Sequence, residues 1–157
     1  MYNRQHKLGL SLYLIFVLIA LVIITDFILP GRILNDNIVN LKKERQQYYN
    51  AARNYHYTYS VVTSKDEFLV SKDFAQLELV NEKIEYSISP IFKEVNWYKL
   101  LLAQNKSYYS LRIASGLILP LLNVISVIVA FRYPEKIDNI VFILQILLIV
   151  DLIFLMK

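Results

Sequence analysis

The sequence predicts an integral membrane α+β protein, with three transmembrane helices and a small β-rich extramembrane domain inserted between helices 1 and 2. Hydrophobic residues make up 56% of the 157-residue chain, whereas soluble domains contain about 45–50%. The excess is concentrated in three long apolar runs, and the segment between the first two runs contains alternating, strand-like stretches. These observations define the fold class.

The first apolar run, residues 8–29, is predicted to be transmembrane helix 1. Its 22 residues carry one charge, Asp26, and as a helix they extend ~33 Å, enough to cross the hydrocarbon core. Arg4 and Lys7 precede it, so a cleavable signal peptide is the alternative. The run exceeds the usual ~7–15 apolar residues of such peptides and no small-x-small cleavage site follows. We therefore expect a retained signal anchor.

The second and third runs, residues 111–131 and 137–156, are predicted to be transmembrane helices 2 and 3. Pro120 lies inside the second run, which membrane helices tolerate when neighbouring groups satisfy the freed carbonyl. Residues 132–136 alone separate the two runs. A connection this short requires the helices to form an antiparallel hairpin.

The positions of lysine and arginine predict the orientation. The N-terminal tail, residues 1–7, and the loop 132–136 each contain two basic residues and fall on the same side, so the positive-inside rule makes that side cytoplasmic. The domain of residues 30–110 and the C-terminus would then be extracytoplasmic. The eleven Lys and Arg of this domain leave the inverted topology open, although long loops count little in the rule. The expected location is a cell membrane, specifically a bacterial inner membrane.

The domain of residues 30–110 is predicted to begin with a helix at about 33–53. Leu34, Ile38, Leu41 and Tyr48 recur at steps of three, four and seven residues, as on one face of an amphipathic helix. The stripe is too short for a coiled coil. We expect this helix to pack on the adjacent sheet or to lie near the membrane surface.

A sheet of three to five strands is predicted over about residues 55–103. Over residues 55–62, three tyrosines and Val61 alternate with His56, Thr58, Ser60 and Val62, which is typical of a strand. The turn 64–67 leads into a second strand at 68–71. A short helical turn at 73–80, a strand at 84–89 and another at 97–102 complete the domain.

The sequence contains no motif typical of an enzyme, so we expect no catalytic residues, no metal sites and no cofactors. The absence of cysteine excludes disulfides, thiolate zinc sites and cysteine nucleophiles. No nucleophile elbow and no glycine-rich phosphate loop is present. His56 is predicted to be an exposed strand residue, since a zinc site requires several converging ligands. The net charge is +4, but the basic residues are scattered among acidic ones, which argues against nucleic-acid binding.

Polar residues inside the apolar runs are the sharpest feature of the sequence, because such groups are costly in hydrocarbon and usually have partners. Asn123 and Gln145 each lie eleven residues from Pro134. At this equal depth they would form a hydrogen bond that clamps helices 2 and 3. Asp26, Arg112 and Asp151 would form a second cluster near the opposite boundary. Both are interpreted as helix clamps, and for the cluster of Asp26, Arg112 and Asp151 an ion or proton path is the alternative.

The predicted function is that of a non-enzymatic accessory or scaffold subunit of a larger membrane protein complex, with the lipid bilayer and other membrane subunits as partners. Nine of the twelve tyrosines lie between residues 30 and 110. They are expected to serve as core or membrane-interface residues more than as a ligand surface. Two alternatives remain, a transport or channel component that uses Asp26 and Asp151, and a membrane-anchored binder of a ligand or toxin.

Overall fold

The structure, a computed structural model, describes residues 2–47, 55–77 and 79–156. The chain divides into a helical unit, made of Met1–Leu29, Pro90–Glu94 and Leu111–Lys157, and a sheet unit, made of Pro30–Ser89 and Val95–Ser110. In chain order the elements are α1 (Tyr2–Ile28), β1 (Arg32–Gln47), β2 (Tyr55–Thr63), β3 (Glu67–Val70), α2 (Lys72–Ala75), β4 (Lys83–Ile88), β5 (Val95–Leu100), α3 (Ser110–Ile113), a π-helical segment (Ala114–Ile118), α4 (Leu119–Arg132) and α5 (Pro134–Leu155).

Three helices of the helical unit are long and apolar enough to cross a membrane. These stretches are Ser11–Ile28, Ser110–Arg132 and Ile137–Leu155. The connection between the last two helices is shorter than the predicted loop 132–136, because Arg132 still belongs to α4 and Pro134 already begins α5. Proline suits the first turn of a helix, where its missing N–H has no partner to lose. Only Tyr133 lies between the helices.

The helices contact each other through two apolar clusters. One contains the buried residues Ala20, Ile23, Leu148 and Leu155, and the other contains Val127, Ala130 and Val141. At the end of the unit that contains Tyr133, the Tyr13 ring contacts that of Phe131 edge-on, with 5.9 Å between the centroids. The outward-facing side chains are mostly apolar, which suits a lipid environment.

The π-helical segment Ala114–Ile118 lies where the second long helix meets α1. Pro120 has no N–H, so it cannot donate to the Gly116 carbonyl four residues earlier, and its ring crowds that carbonyl. A wider π-helical turn removes the conflict. A Cβ atom added to Gly116 would lie 2.5 Å from Cδ2 of Phe27. The absence of a side chain at Gly116 therefore permits the close approach of Phe27.

The sheet unit is built on five antiparallel strands in the order β3-β2-β1-β4-β5, and the sheet curls into a half-barrel. Its core contains Ile38, Val61, Phe68, Val70, Phe74, Leu79, Ile84, Tyr86 and Tyr98. Two of the buried tyrosines satisfy their hydroxyl groups. That of Tyr86 donates to Oδ2 of Asp66 at 2.6 Å, and that of Tyr98 accepts from the backbone N–H of Ser71 at 2.8 Å.

The helix predicted over residues 33–53 is wrong for the described part of that range, which forms the strand β1. Leu34 and Ile38 face the core, and a bulge between Ile38 and Asn40 then transfers the inward face to Leu41. The bulge turns a strand alternation into the spacing of three and four residues that resembles a helix. Residues 48–53, which the prediction also covers, lie outside the described residues.

The other elements of the sheet unit lie close to their predicted positions. The strands β2, β3, β4 and β5 overlap the four stretches predicted to be strands, and α2 begins one residue before the helical turn predicted at 73–80 and overlaps it. Ser71 caps α2, because its side chain accepts a hydrogen bond from the N–H of Phe74. The sheet extends beyond the predicted range 55–103, since β1 occupies its centre.

Candidate functional site

A buried ion pair between Asp26 of α1 and Arg112 of α3 joins two helices of the helical unit. Nη2 of Arg112 lies 3.1 Å from Oδ2 of Asp26, and both side chains are almost fully buried. The guanidinium also lies near the ring of Phe27, at 5.5 Å from the centroid. The sequence predicted this pair from the similar depth of the two residues.

Asp26 has a second role that the sequence did not indicate. Its Oδ1 accepts hydrogen bonds from the backbone N–H groups of Ile91 and Phe92, at 2.7 and 3.3 Å. These residues belong to the segment Pro90–Glu94, which is part of the helical unit. One buried carboxylate thus holds a basic side chain and two amide groups. These three donors hold the carboxylate in a fixed orientation.

Asp151 is close to this cluster, although the predicted three-residue cluster forms only in part. Arg112 acts on Asp151 electrostatically, but the ion pairs of the described residues do not include one between them. Oδ2 of Asp151 is buried without a hydrogen-bond partner among those residues. Glu94 completes the surroundings, and burial raises the pKa of its carboxyl group, an effect that Arg112 opposes and Asp26 reinforces.

Asn123 and Gln145 are buried, but they do not form the predicted hydrogen bond. Asn123 is fully buried and Gln145 is 8% exposed. Within the described chain, no hydrogen-bond partner is found for the Nδ2 and Oδ1 atoms of Asn123 or for Nε2 of Gln145. Equal distance from the hairpin turn places two residues at a similar depth, but it does not determine the directions of their side chains.

In the sheet unit, the C-terminal part of β1 and the N-terminal part of β2 form a ribbon, which we call the β1–β2 ribbon and which comprises residues 42–47 and 55–60. Its outer part, residues 44–47 with 55–58, is two-stranded in the described part of the chain. On one side β4 pairs with β1 only as far as Asn37, and on the other β3 pairs with β2 only from Tyr59 onward. The ribbon strands pair with each other throughout, from Lys42 opposite Ser60 to Gln47 opposite Tyr55.

One face of the ribbon combines cations with tyrosine rings. Cross-strand pairing places Lys43 opposite Tyr59 and Arg45 opposite Tyr57. Nζ of Lys43 lies 4.1 Å from the centre of the Tyr57 ring, and the Arg45 guanidinium lies 4.2 Å from that of Tyr55. The rings of Tyr55 and Tyr57 contact each other edge-on, with 5.5 Å between their centroids. We call these five residues the basic tyrosine face.

The basic tyrosine face continues the core-facing side of the sheet. Leu41 and Tyr59 pack on the core, and the next positions with the same orientation are Lys43, Tyr57 and Arg45. Tyr57 is 40% exposed and Tyr55 is 52% exposed. Exposed tyrosine and arginine are enriched in protein interfaces. The inward side of the sheet therefore continues as an exposed surface suited to binding.

The opposite face of the ribbon is polar and internally bonded. Glu67 accepts hydrogen bonds from Nζ of Lys42 at 2.6 Å and from the hydroxyl of Ser60 at 2.9 Å. The hydrogen bonds from Lys42 and Ser60 lower the pKa of the Glu67 carboxyl. The two faces thus differ in chemistry, and only the basic tyrosine face combines exposed rings with cations.

His56 lies between Tyr55 and Tyr57 in β2 and is partly buried, whereas the sequence predicted an exposed histidine. No group of three or more potential metal ligands occurs in the described ranges.

The signal for the basic tyrosine face was present in the sequence as Lys43, Arg45 and the alternating tyrosines. It was missed because residues 33–53 were interpreted as a helix.

Comparison with known proteins found no matching family model, no similar curated protein and no similar solved structure.

Proposed function

We propose that this protein is a non-catalytic, membrane-anchored subunit that binds another protein of a membrane complex through its β1–β2 ribbon. The observation that carries the proposal is the basic tyrosine face, an exposed continuation of the side of the sheet that elsewhere forms the core. A two-stranded ribbon is only marginally stable by itself. Binding of a partner would cover its rings and support the ribbon.

Membrane anchoring is supported by the surfaces of the three long helices. Many large apolar side chains on these helices are about half exposed, among them Leu14, Leu18, Ile128, Phe142 and Ile153. In water such surfaces would cause aggregation, whereas lipid tails cover them at no cost. We place the N-terminus and the Tyr133 connection on the cytoplasmic side, following the distribution of basic residues.

The contacts of Asp26 favour a scaffold over a transport component. A carboxylate that carries protons or ions must exchange its partners, but Asp26 is fully buried and bound by Arg112 and two backbone N–H groups. These bonds support a fixed structural role, in which the ion pair links α1 to α3.

Site-specific photo-crosslinking in native membranes tests the proposal. A benzoylphenylalanine placed at Tyr57 should form a crosslink to one defined partner protein. The same group at Gln46, on the opposite face, and at Lys72, which is exposed in α2, should form little or none.

The mass of the gently extracted protein provides the second readout. A species larger than 18.5 kDa that contains the crosslinked partner is expected. A protein that migrates alone, together with equal crosslinking at all three positions, would contradict the proposal.

A further inference from the structure

One edge of β1 is open along the ribbon. On the β4 side the last backbone contacts are at Ile38, which donates to the Glu82 carbonyl at 2.9 Å and accepts from the Asn81 N–H at 2.8 Å. From Val39 to Gln47, no strand in the described part of the chain pairs with this edge. An open edge offers unpaired N–H and C=O groups to an added strand.

The charges beside this edge select the partner. A strand added there would place every second side chain next to Lys43 and Arg45 on the basic tyrosine face. Among the described residues, this face has no carboxylate, since Glu44 and Glu67 belong to the other side. Acidic side chains at alternate positions of the added strand would complement both cations.

A second copy of this chain suits the edge poorly. Two β1 edges paired with each other would bring Lys42, Lys43 and Arg45 of one copy near the same cations of the other. Like charges on adjacent strands are destabilising, and lysines on an edge strand typically prevent such self-pairing.

We propose that the β1 edge, from about Asn40 to Gln46, accepts an extended acidic segment of a partner protein as an added strand. The segment carries Asp or Glu at positions i and i+2, which lie beside Lys43 and Arg45. Its backbone pairs with β1, and its neighbouring side chains cover the tyrosine rings. This inference rests on the proposed function, because it specifies the chemistry of the partner that the ribbon binds.

Peptide binding to the full chain in neutral-lipid nanodiscs tests the inference. The probe is a fluorescein-labelled peptide of sequence TEVEVET, and fluorescence anisotropy measures its affinity. We expect saturable binding that weakens as salt is added. The peptides TKVKVKT and TEEVVET, which reverse the charge and remove the i, i+2 spacing of the glutamates, should bind at least about tenfold more weakly. TEVEVET with N-methyl groups on all internal residues should also lose binding, because neither of its edges can complete the backbone ladder.

Matched variants locate the site. Lys43→Gln and Arg45→Gln each remove one positive charge, and together they should weaken binding about tenfold or more. Gln46→Glu also changes the charge by one unit, but on the other face, and should change the affinity by less than about twofold. An unchanged thermal melting profile shows that the exposed substitutions leave the fold intact.

Three results would overturn the inference. Equal binding of the N-methylated peptide would exclude strand addition, and equal binding of TKVKVKT would exclude recognition of acidic residues. Binding of phosphatidylglycerol vesicles through Lys43 and Arg45, without peptide binding, would assign the face to an anionic lipid surface. A crosslink from Tyr57 to a partner protein that persists in any of these cases would leave the proposed function standing, so the two failures are distinguishable.

Discussion

At the scale of single residues, Asp26 and Arg112 are the most strongly constrained pair in the helical unit. Both charges are buried, so each compensates the cost of removing the other from water. Asp26 also binds two amide groups of the segment Pro90–Glu94. By contrast, Nδ2 and Oδ1 of Asn123 and Nε2 of Gln145 are buried without hydrogen-bond partners within the described chain, so the cost of burying these groups is not compensated.

Replacement of Arg112 by alanine should therefore destabilise the protein. The change leaves the Asp26 carboxylate buried without its counter-charge, which typically costs about 3–5 kcal/mol. Thermal unfolding in detergent, followed by circular dichroism, should show a lower Tm. Arg132→Ala, which removes an exposed arginine, is the matched control and should leave the Tm nearly unchanged. Equal melting of the two variants would contradict the role assigned to the ion pair.

Replacement of Asn123 by leucine should raise the Tm. The substitution is similar in size and removes two buried polar atoms that lack partners, at a gain of about 1 kcal/mol. The same unfolding experiment measures it, and Gln145→Leu should act in the same direction. A lower Tm for both variants would instead indicate that the two amides do bond and clamp the helices.

At the scale of elements, two irregularities shape the fold. The bulge in β1 transfers its core-facing positions from Ile38 to Leu41 and leads to the ribbon. The π-helical segment Ala114–Ile118 accommodates Pro120 and places Gly116 against Phe27. In each case the local chain departs from the regular pattern so that a long-range contact can form.

Gly116→Ala should weaken the packing between α1 and the π-helical segment. The new methyl group would meet Cδ2 and Cγ of Phe27 at 2.5 and 3.0 Å, and overpacking of this kind costs about 1–3 kcal/mol. A lower Tm than that of the parent is expected. Phe27→Ala removes the opposing ring, so adding Gly116→Ala to that variant should cost much less than it does in the parent. Fully additive effects would contradict the contact.

The sheet unit should lose stability at high pH through Tyr86. Burial, with the hydrogen bond to Asp66, raises the pKa of the Tyr86 hydroxyl to about 12, whereas an exposed tyrosine titrates near ~10. The unfolded state therefore ionises first, and the contribution of Tyr86 is complete below pH ~10 and disappears as the pH approaches ~12.

A comparison of Tm values with the Tyr86→Phe variant isolates this effect. The variant should melt at a lower temperature at pH ~9, because it lacks the bond to Asp66. The difference from the parent should then shrink between pH ~10 and ~12. A constant difference across this range would show that Tyr86 does not contribute to the pH dependence.

At the scale of the whole molecule, the proposed arrangement is a membrane anchor that carries a binding sheet. In this proposal the helices provide the apolar surface for lipid, and the sheet unit provides an exposed basic tyrosine face. This division requires the sheet unit to lie on one defined side of the membrane. The distribution of basic residues predicts the extracytoplasmic side.

Cysteine labelling measures this topology directly, because the chain contains no cysteine and each introduced thiol is unique. Ser64→Cys, at an exposed turn of the sheet unit, should react with a membrane-impermeant maleimide in intact cells. Tyr133→Cys, between α4 and α5, should react only after permeabilisation. The reverse pattern would establish the inverted topology.

The sequence by itself determined the three apolar helices, the strands β2 to β5 and the depth match of Asp26 with Arg112. These features depend on local periodicity, composition and length, which are readable along the chain. Only the tertiary structure decided that residues 32–47 form a strand, because a bulge imitates helical spacing and the ladder partners β2 and β4 are distant in sequence. The tertiary structure also decided which buried polar residues form hydrogen bonds. Asp26 accepts them from the backbone N–H groups of residues 91 and 92, whereas Asn123 and Gln145 lie at a similar depth but do not bond to each other. Depth follows from counting residues, whereas bonding depends on directions that only the packed chain defines.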